Sequence, residues 1–363
     1  MTLSRGAIGN LVNRYRAVLR KCRMMNVFGS LAVAGMLVAG NAGFAGAEEL
    51  SGDISPISLS GDTRNIIGVG DISLRSTEPA LRYLINVSGQ GQLDISMSNG
   101  SPMAVGNADG IYLKDYSDYD QYASAFHVAG SGSSGSFVGT GTFSMVGGGK
   151  LLGVCAFLSE SKGTLTLSGD ITGEAEAVMN GSNGYASFVA AAAGGNLVFG
   201  GDRTTLRAKA STGNNANGAF VKYGGMIDFA SKSVLIESKN TDSNSVGINC
   251  ADGTVKTSAD TDLDIVVEGN KATTGIQLTA SSSDVQLAGN LDLTATQTGQ
   301  DSFASVLGIS NDSGKMVVSG PTSLRLVTNA PFDAKGITAS GKADMSFLGD
   351  VEIAVRGSAS GSA

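Results

Sequence analysis

The chain has 363 residues, 42% of them hydrophobic, a composition that excludes a chain unable to bury a core. Glycine is abundant at 52 residues, proline scarce at 5, tryptophan absent and aromatics only 6%, so small and β-branched side chains are expected to fill the interior rather than large rings. The net charge of −7 makes nucleic acid and anionic membrane surfaces poor partners.

The first 47 residues differ from the rest. They carry Arg5, Arg14, Arg16, Arg20, Lys21 and Arg23 with no acidic residue, then the apolar stretch VFGSLAVAGMLVAG, then Ala45, Gly46 and Ala47 before Glu48 and Glu49. A basic head, an apolar run and a small-residue exit predict an export signal over 1–47, cleaved between Ala47 and Glu48. Its removal leaves 19 basic against 32 acidic residues, a net charge of −13. Cys22 goes with it, and Cys155 and Cys250 remain.

Residues 48–92 alternate like strands (ISLSGD, DISLRS, YLINVSG) without a clean period and are expected to form an N-terminal cap and the first turns. From residue 93 a looser repeat begins, interrupted by an expected loop insertion at 111–136. From Arg203 onward the chain repeats about every 28 residues. The anchors Leu206, Val234, Leu263, Leu291, Leu324 and Val351 open short alternating segments such as DLDIVVEG and NLDLTATQ, at spacings of 28, 29, 28, 33 and 27. A glycine followed by an apolar residue recurs between them at Gly218, Gly247, Gly275, Gly308 and Gly336, and is expected at a tight corner.

Each unit reads as three short strands, and no unit can bury its inner face without the next. The column two residues after each anchor (Ala208, Ile236, Ile265, Leu293, Leu326, Ile353) is expected to form a continuous core. The predicted fold is therefore all-β, a right-handed parallel β-helix of about nine or more rungs. Cys155 and Cys250, three units apart, would stand about 14 Å from each other at ~4.8 Å per strand, so two buried free thiols are expected.

An export segment followed by Gly/Ala/Ser/Thr/Asn-rich β-helical repeats resembles the passenger domain of bacterial autotransporters, the type V secretion family, of the adhesin class. The head, with Asn13, Arg14, Tyr15, Arg16 and Val18, is similar to the extended signal peptide of that family. The resemblance implies display at the cell surface or outer membrane, or release to the medium. It further implies an outer-membrane β-barrel translocator encoded beyond this chain, and adhesion to a host or sister cell, through protein or glycan, or self-association, without catalysis.

Catalytic and metal chemistry find little in the residues themselves. The one histidine, His127, furnishes no repeated metal ligands and no Ser-His-Asp set, and neither cofactor nor metal is expected. Asp264 and Asp292, one residue after successive anchors, are the candidate acid and base if the chain is instead a secreted carbohydrate-active β-helix enzyme; a mixed-charge ladder is the alternative reading of the same column, with Arg325 and Glu352 paired on neighbouring rungs. A two-partner secreted exoprotein is the third reading. The expected binding element is the Tyr/Asp-rich insertion, with Tyr112, Asp115, Tyr116, Asp118, Tyr119, Asp120 and Tyr122, because tyrosine joins a flat apolar body to a hydrogen-bonding tip.

Overall fold

The computed structural model describes residues 47–78, 81–98, 100–107, 122–147, 153–178, 186–211, 215–299, 305–329 and 334–357. All strands among them belong to the unit that starts at Glu48, and they build a parallel β-helix. In one turn from its middle, Ser245–Cys250, Gly253–Thr257 and Asp262–Gly269 form three sides. The next turn repeats them as Ala272–Leu278, Ser283–Leu287 and Asn290–Gln297, each strand pairing in parallel with its counterpart.

The first sides stack into a ten-stranded sheet, which is nine steps of the coil. The second and third sides merge into one 17-stranded sheet. The merger arises in the first half of the molecule, where single strands such as Ser134–Gly147, Thr164–Ala177 and Asn196–Ala210 run across both sides. These strands bend at Gly139 and Gly169, whose φ values of 135° and 122° are ones that residues with a Cβ rarely adopt.

Residues 48–92 join the same sheets. Glu48 pairs with Ile66 and Ile57 with Ile85, so the described strands of this segment belong to the first turns of the coil. The second half of the insertion expected at 111–136 is no loop, because Tyr122–Ala129 is a strand of the ten-stranded sheet and Ser134 opens the next strand, while 111–121 lie outside the described residues.

The register corrects the column of anchors by two residues at two places. Leu206 pairs with Ile236 and Leu293 with Leu324, so the inner column runs Leu206, Ile236, Ile265, Leu293, Leu324, Ile353. The positions aligned with Val234, Leu263, Leu291 and Val351 are held by Thr204 and Thr322 in the two displaced turns.

Across the core from this column stand the repeated glycines. Gly218, Gly247, Gly275, Gly308 and Gly336 lie inside strands of the ten-stranded sheet, not at corners, and none has a positive φ. Their role is space. A Cβ on Gly247 would collide with the Ile265 methyl, one on Gly275 with both methyls of Leu293, and one on Gly336 would come within 2.7 Å of the Ile353 methyl.

In the first half of the coil the sizes are exchanged. Val189 occupies the glycine position, and the residue facing it in the other sheet is Gly173. Here the interior contradicts the expectation of a ring-poor core: Phe126, Phe137, Phe143, Phe157, Phe199 and Phe229 are all fully buried, with successive centroids 5.1–5.5 Å apart from Phe137 through Phe143, Phe157 and Phe199 to Phe229. Glycines again make room for them, since a Cβ on Gly141 would come within 2.8 Å of the Phe137 and Phe143 rings.

Corners are closed by buried amides that answer backbone groups left over by the turn. Asn240 Oδ1 accepts from the amides of Asp242 and Ser243, while its Nδ2 donates to the Asn244 carbonyl. Asn311 bridges Gly314 in both directions, at 2.8 and 2.7 Å. Cys155 and Cys250 are free and buried, three strand steps apart.

Gly275→Ala is expected to destabilise the coil by about 1–3 kcal/mol, because overpacking forces neighbours out of their rotamers. Gly336→Ala should cost less than Gly275→Ala, since the nearest atoms a Cβ would meet there all belong to Ile353, which is 45% exposed and free to move. Urea unfolding midpoints of the two variants check the order.

Candidate functional site

Of the expected binding residues, Tyr112, Asp115, Tyr116, Asp118, Tyr119 and Asp120 lie outside the described residues. Tyr122 lies within them and is no loop residue. It opens the strand Tyr122–Ala129 and is only 6% exposed. Its ring meets Phe188 edge-on at 6.0 Å, and its hydroxyl is 2.5 Å from Lys222 Nζ, three strands away along the sheet.

Tyr122 thus belongs to a second apolar cluster, on the outside of the ten-stranded sheet. Parallel register builds it: the outward column of Ser124, Cys155 and Phe188 runs beside that of His127, Leu158, Ala191 and Phe220. Cys155, Leu158 and Ala191 are buried with Tyr122 and Phe188, while Tyr83, Ala186 and Phe220 close the margin. Phe188 and Phe220 stack at 4.6 Å.

Burial sets the electrostatics of this patch. It raises the Cys155 thiol far above the usual range, with Glu160 adding to the effect and Lys222 opposing it. It raises the Tyr122 phenol strongly, and pushes Tyr83 up to about 12 against the lowering influence of Arg82. Lys222 is lowered by the same desolvation, with Glu160 pulling the other way. A neutral thiol and neutral phenols are poor nucleophiles.

His127 stacks on Tyr83 at 4.0 Å and 15°, and the Arg82 guanidinium lies 4.9 Å from the centre of the same ring. The His127 Nδ1 is 2.8 Å from Asn86 Oδ1 and Nε2 is 3.1 Å from Glu160 Oε2. Both nitrogens are engaged, which ties three successive strands together. Arg82 donates to the Tyr83 hydroxyl at 2.8 Å and to the Tyr122 carbonyl. A shallow cleft of about 270 Å³ opens beside Arg82, between Ile57 and Ser58 on one side and Leu81, Tyr83 and Asn86 on the other.

At the far edge of the patch stands Tyr223, which sequence reasoning missed. It is 72% exposed and sits in a left-handed turn at φ 56°. Lys222 Nζ lies 4.6 Å from its ring centre, 4.9 Å from that of Tyr122 and 5.7 Å from that of Phe220. The three rings therefore surround one ammonium. The only signal in the sequence is the run Phe220, Val221, Lys222, Tyr223, Gly224, where an aromatic residue enters a glycine turn.

The third side carries charges. Asp264 and Asp292 are direct partners in register, and both are exposed. Partial burial first, then Asp292 and Asp262, hold the Asp264 carboxyl above its ordinary range. Arg325 does not face Glu352; it pairs with Thr294 and Ala354, and Ser323 faces Glu352. A mixed-charge ladder does form elsewhere on this side, where Arg207 bridges Glu174 at 3.4 Å and Glu237 at 2.5 Å. Among the described residues no group of three or more His, Cys, Asp and Glu is placed to hold a metal ion.

Compared with protein-family models, with curated proteins and with solved structures, the chain matches none.

Because the fold raises the Asp264 pKa, the folded state binds that proton more tightly than the unfolded chain, and stability falls as pH rises through the raised value. Asp264→Asn is therefore expected to stabilise the protein at pH 7 by roughly 0.2–1 kcal/mol, the size of a cross-strand like-charge term, and to lose that advantage in acid. Denaturation midpoints at pH 7 and pH 3 measure it.

Proposed function

We propose that the chain is an exported passenger of the autotransporter type, displayed at the cell surface or released, which acts as an adhesin or self-association scaffold without catalysis. The observation that carries this reading is the uninterrupted parallel stack: a coil whose turns touch only their neighbours can be assembled one rung at a time as the chain leaves a pore. Docking each rung is downhill, so such passage needs no ATP. Two cysteines with no disulfide between them suit that route, since no long-range bond has to survive a narrow channel.

The outer faces support a binding role. The ten-stranded sheet presents, beyond its aromatic patch, the half-buried Asn249, Gln277 and Thr338, groups able to make weak polar contacts. The basic head and the small-residue exit at Ala47 supply the export step. Partners under this reading are a host or sister-cell surface and a β-barrel translocator.

Expression of the full chain with such a translocator should make non-aggregating bacteria clump or adhere to epithelial cells, and N-terminal sequencing of the displayed protein should begin at Glu48. Unchanged sedimentation and adherence in cells that carry the chain on their surface would overturn the reading. Turnover of an acidic polysaccharide that disappears in an Asp264→Ala, Asp292→Ala double variant would replace it with the enzymatic one.

A further inference from the structure

We propose that the strand Val351–Gly357 is a contact between two copies of this chain, which pair antiparallel through it about a two-fold axis at Ala354 and join their coils end to end. The inference goes beyond the adhesin reading and does not depend on it. On one side the strand pairs with Thr322–Thr328, and no described strand pairs with its other side. Backbone N–H and C=O groups along that side therefore lack sheet partners. Its core side is equally unfinished, for Val351, Ile353 and Val355 are exposed, as is the neighbouring Leu348.

Sheet edges are ordinarily blunted by charge, proline or a bulge, and the opposite end of the coil has all three. There the strand Glu48–Asp53 carries Glu48, Glu49 and Asp53, its register shifts between Leu50 and Gly52, and Pro56 follows. Val351–Gly357 has neither proline nor register shift. An apolar edge left straight in this way accepts a further strand.

Its charges select a second copy as that strand. Register with Thr322–Thr328 puts Val351, Ile353 and Val355 on the core side, and Glu352, Ala354 and Arg356 outside. A partner must keep its own apolar residues on the core side, so an antiparallel copy can be centred only on a residue, not between two. Centred on Ala354, it sets Glu352 of each copy opposite Arg356 of the other, while Ile353 meets Val355 on the core side. Centred on Ile353 or Val355, it sets Glu352 or Arg356 opposite Ala354 instead. Only the first register pairs both charges within the strand, and the two-fold axis makes each pair twice. Parallel in-register pairing would lay Glu352 on Glu352 and Arg356 on Arg356, which like-charge repulsion disfavours. Among the described residues neither side chain makes an ion pair within its own chain.

The experiment is sedimentation equilibrium of the purified full chain, which should show a concentration-dependent dimer. Glu352→Arg and Arg356→Glu each set like charges against one another at both pairs, and each should weaken self-association at least tenfold. An equimolar mixture of the two variants should form a heterodimer with an affinity within threefold of the parent's, because every basic side chain then faces an acidic one. Both positions are exposed, so the substitutions leave the core untouched and the mixture reads the register itself. A parent that stays monomeric, single variants that associate like the parent, or a mixture as weak as each variant alone would overturn the inference. Growth beyond the dimer would mark head-to-tail stacking of coils and overturn it as well.

Discussion

Every turn of this coil must enclose the same cross-section, because parallel strands stack at a fixed spacing and each side chain lies over its equivalent one turn away. Residues facing each other across the core therefore share a fixed space. Where the 17-stranded sheet contributes Ile236, Ile265 or Leu293, the ten-stranded sheet answers with Gly218, Gly247 or Gly275. Where the ten-stranded sheet contributes Val189, its opposite is Gly173. The sum is conserved while the partners trade sizes. Rings obey the same rule, for the buried phenylalanines of the first half are accommodated by Gly135, Gly141 and Gly173. Close packing of this kind tolerates neither a void nor an extra methyl, and it fixes the register of each strand.

A core so constrained leaves chemistry to the outside. The two cysteines illustrate the division: Cys250 lies in the central core cluster, whereas Cys155 lies in the outer one, under Tyr122 and Phe188. The outer face of the first half is aromatic and cationic, with Tyr83, His127, Tyr122, Phe188, Phe220 and Lys222 tied across successive strands. The third side carries ion-pair ladders such as Glu174, Arg207 and Glu237. Exposed pairs of that kind add little stability, so their variation from turn to turn is free. Faces of different chemistry can thus be changed without disturbing the stack.

Much of the fold was legible from alternation alone. The segments DLDIVVEG and NLDLTATQ put Leu263 over Leu291 and Ile265 over Leu293, as the pairing has them. The two-residue errors at Leu206 and Leu324 have one cause. Thr204 and Thr322 occupy inward positions and are buried, and threonine has the shape of valine, so a pattern of apolar residues alone slides past them. Thr204 is satisfied there by Ser231 at 2.8 Å, whereas Thr322 Oγ1 has no hydrogen-bond partner. The glycine period was visible but its meaning was not, since the neighbour that requires each glycine lies on the opposite sheet. Phenylalanine burial was hidden by a low overall count, which averages over a chain whose rings are concentrated in one half. Tyr223 left almost no trace, because exposure and a left-handed φ are properties of a turn seen only in three dimensions.

The same column that records the packing also measures what a turn gains from the next. Leu324 and Ile353 hold equivalent inner positions on adjacent rungs, yet Leu324 is 1% exposed and Ile353 45%, because no described strand lies beyond Ile353. Val351 and Val355 beside it are likewise 40% and 49% exposed, against 1% and 0% for their equivalents Leu291 and Leu326. An uncovered rung thus keeps a large part of its apolar surface in water until another is laid on it, and at roughly 25 cal/mol per Å² that surface is the driving force for the next addition. The gain is local, repeated and independent of distant residues, so growth of the coil follows whichever end the chain supplies. Secretion through a pore would supply one end only, and an ordering of the turns in time then needs no information beyond the stacking of Leu on Leu and Ile against Gly.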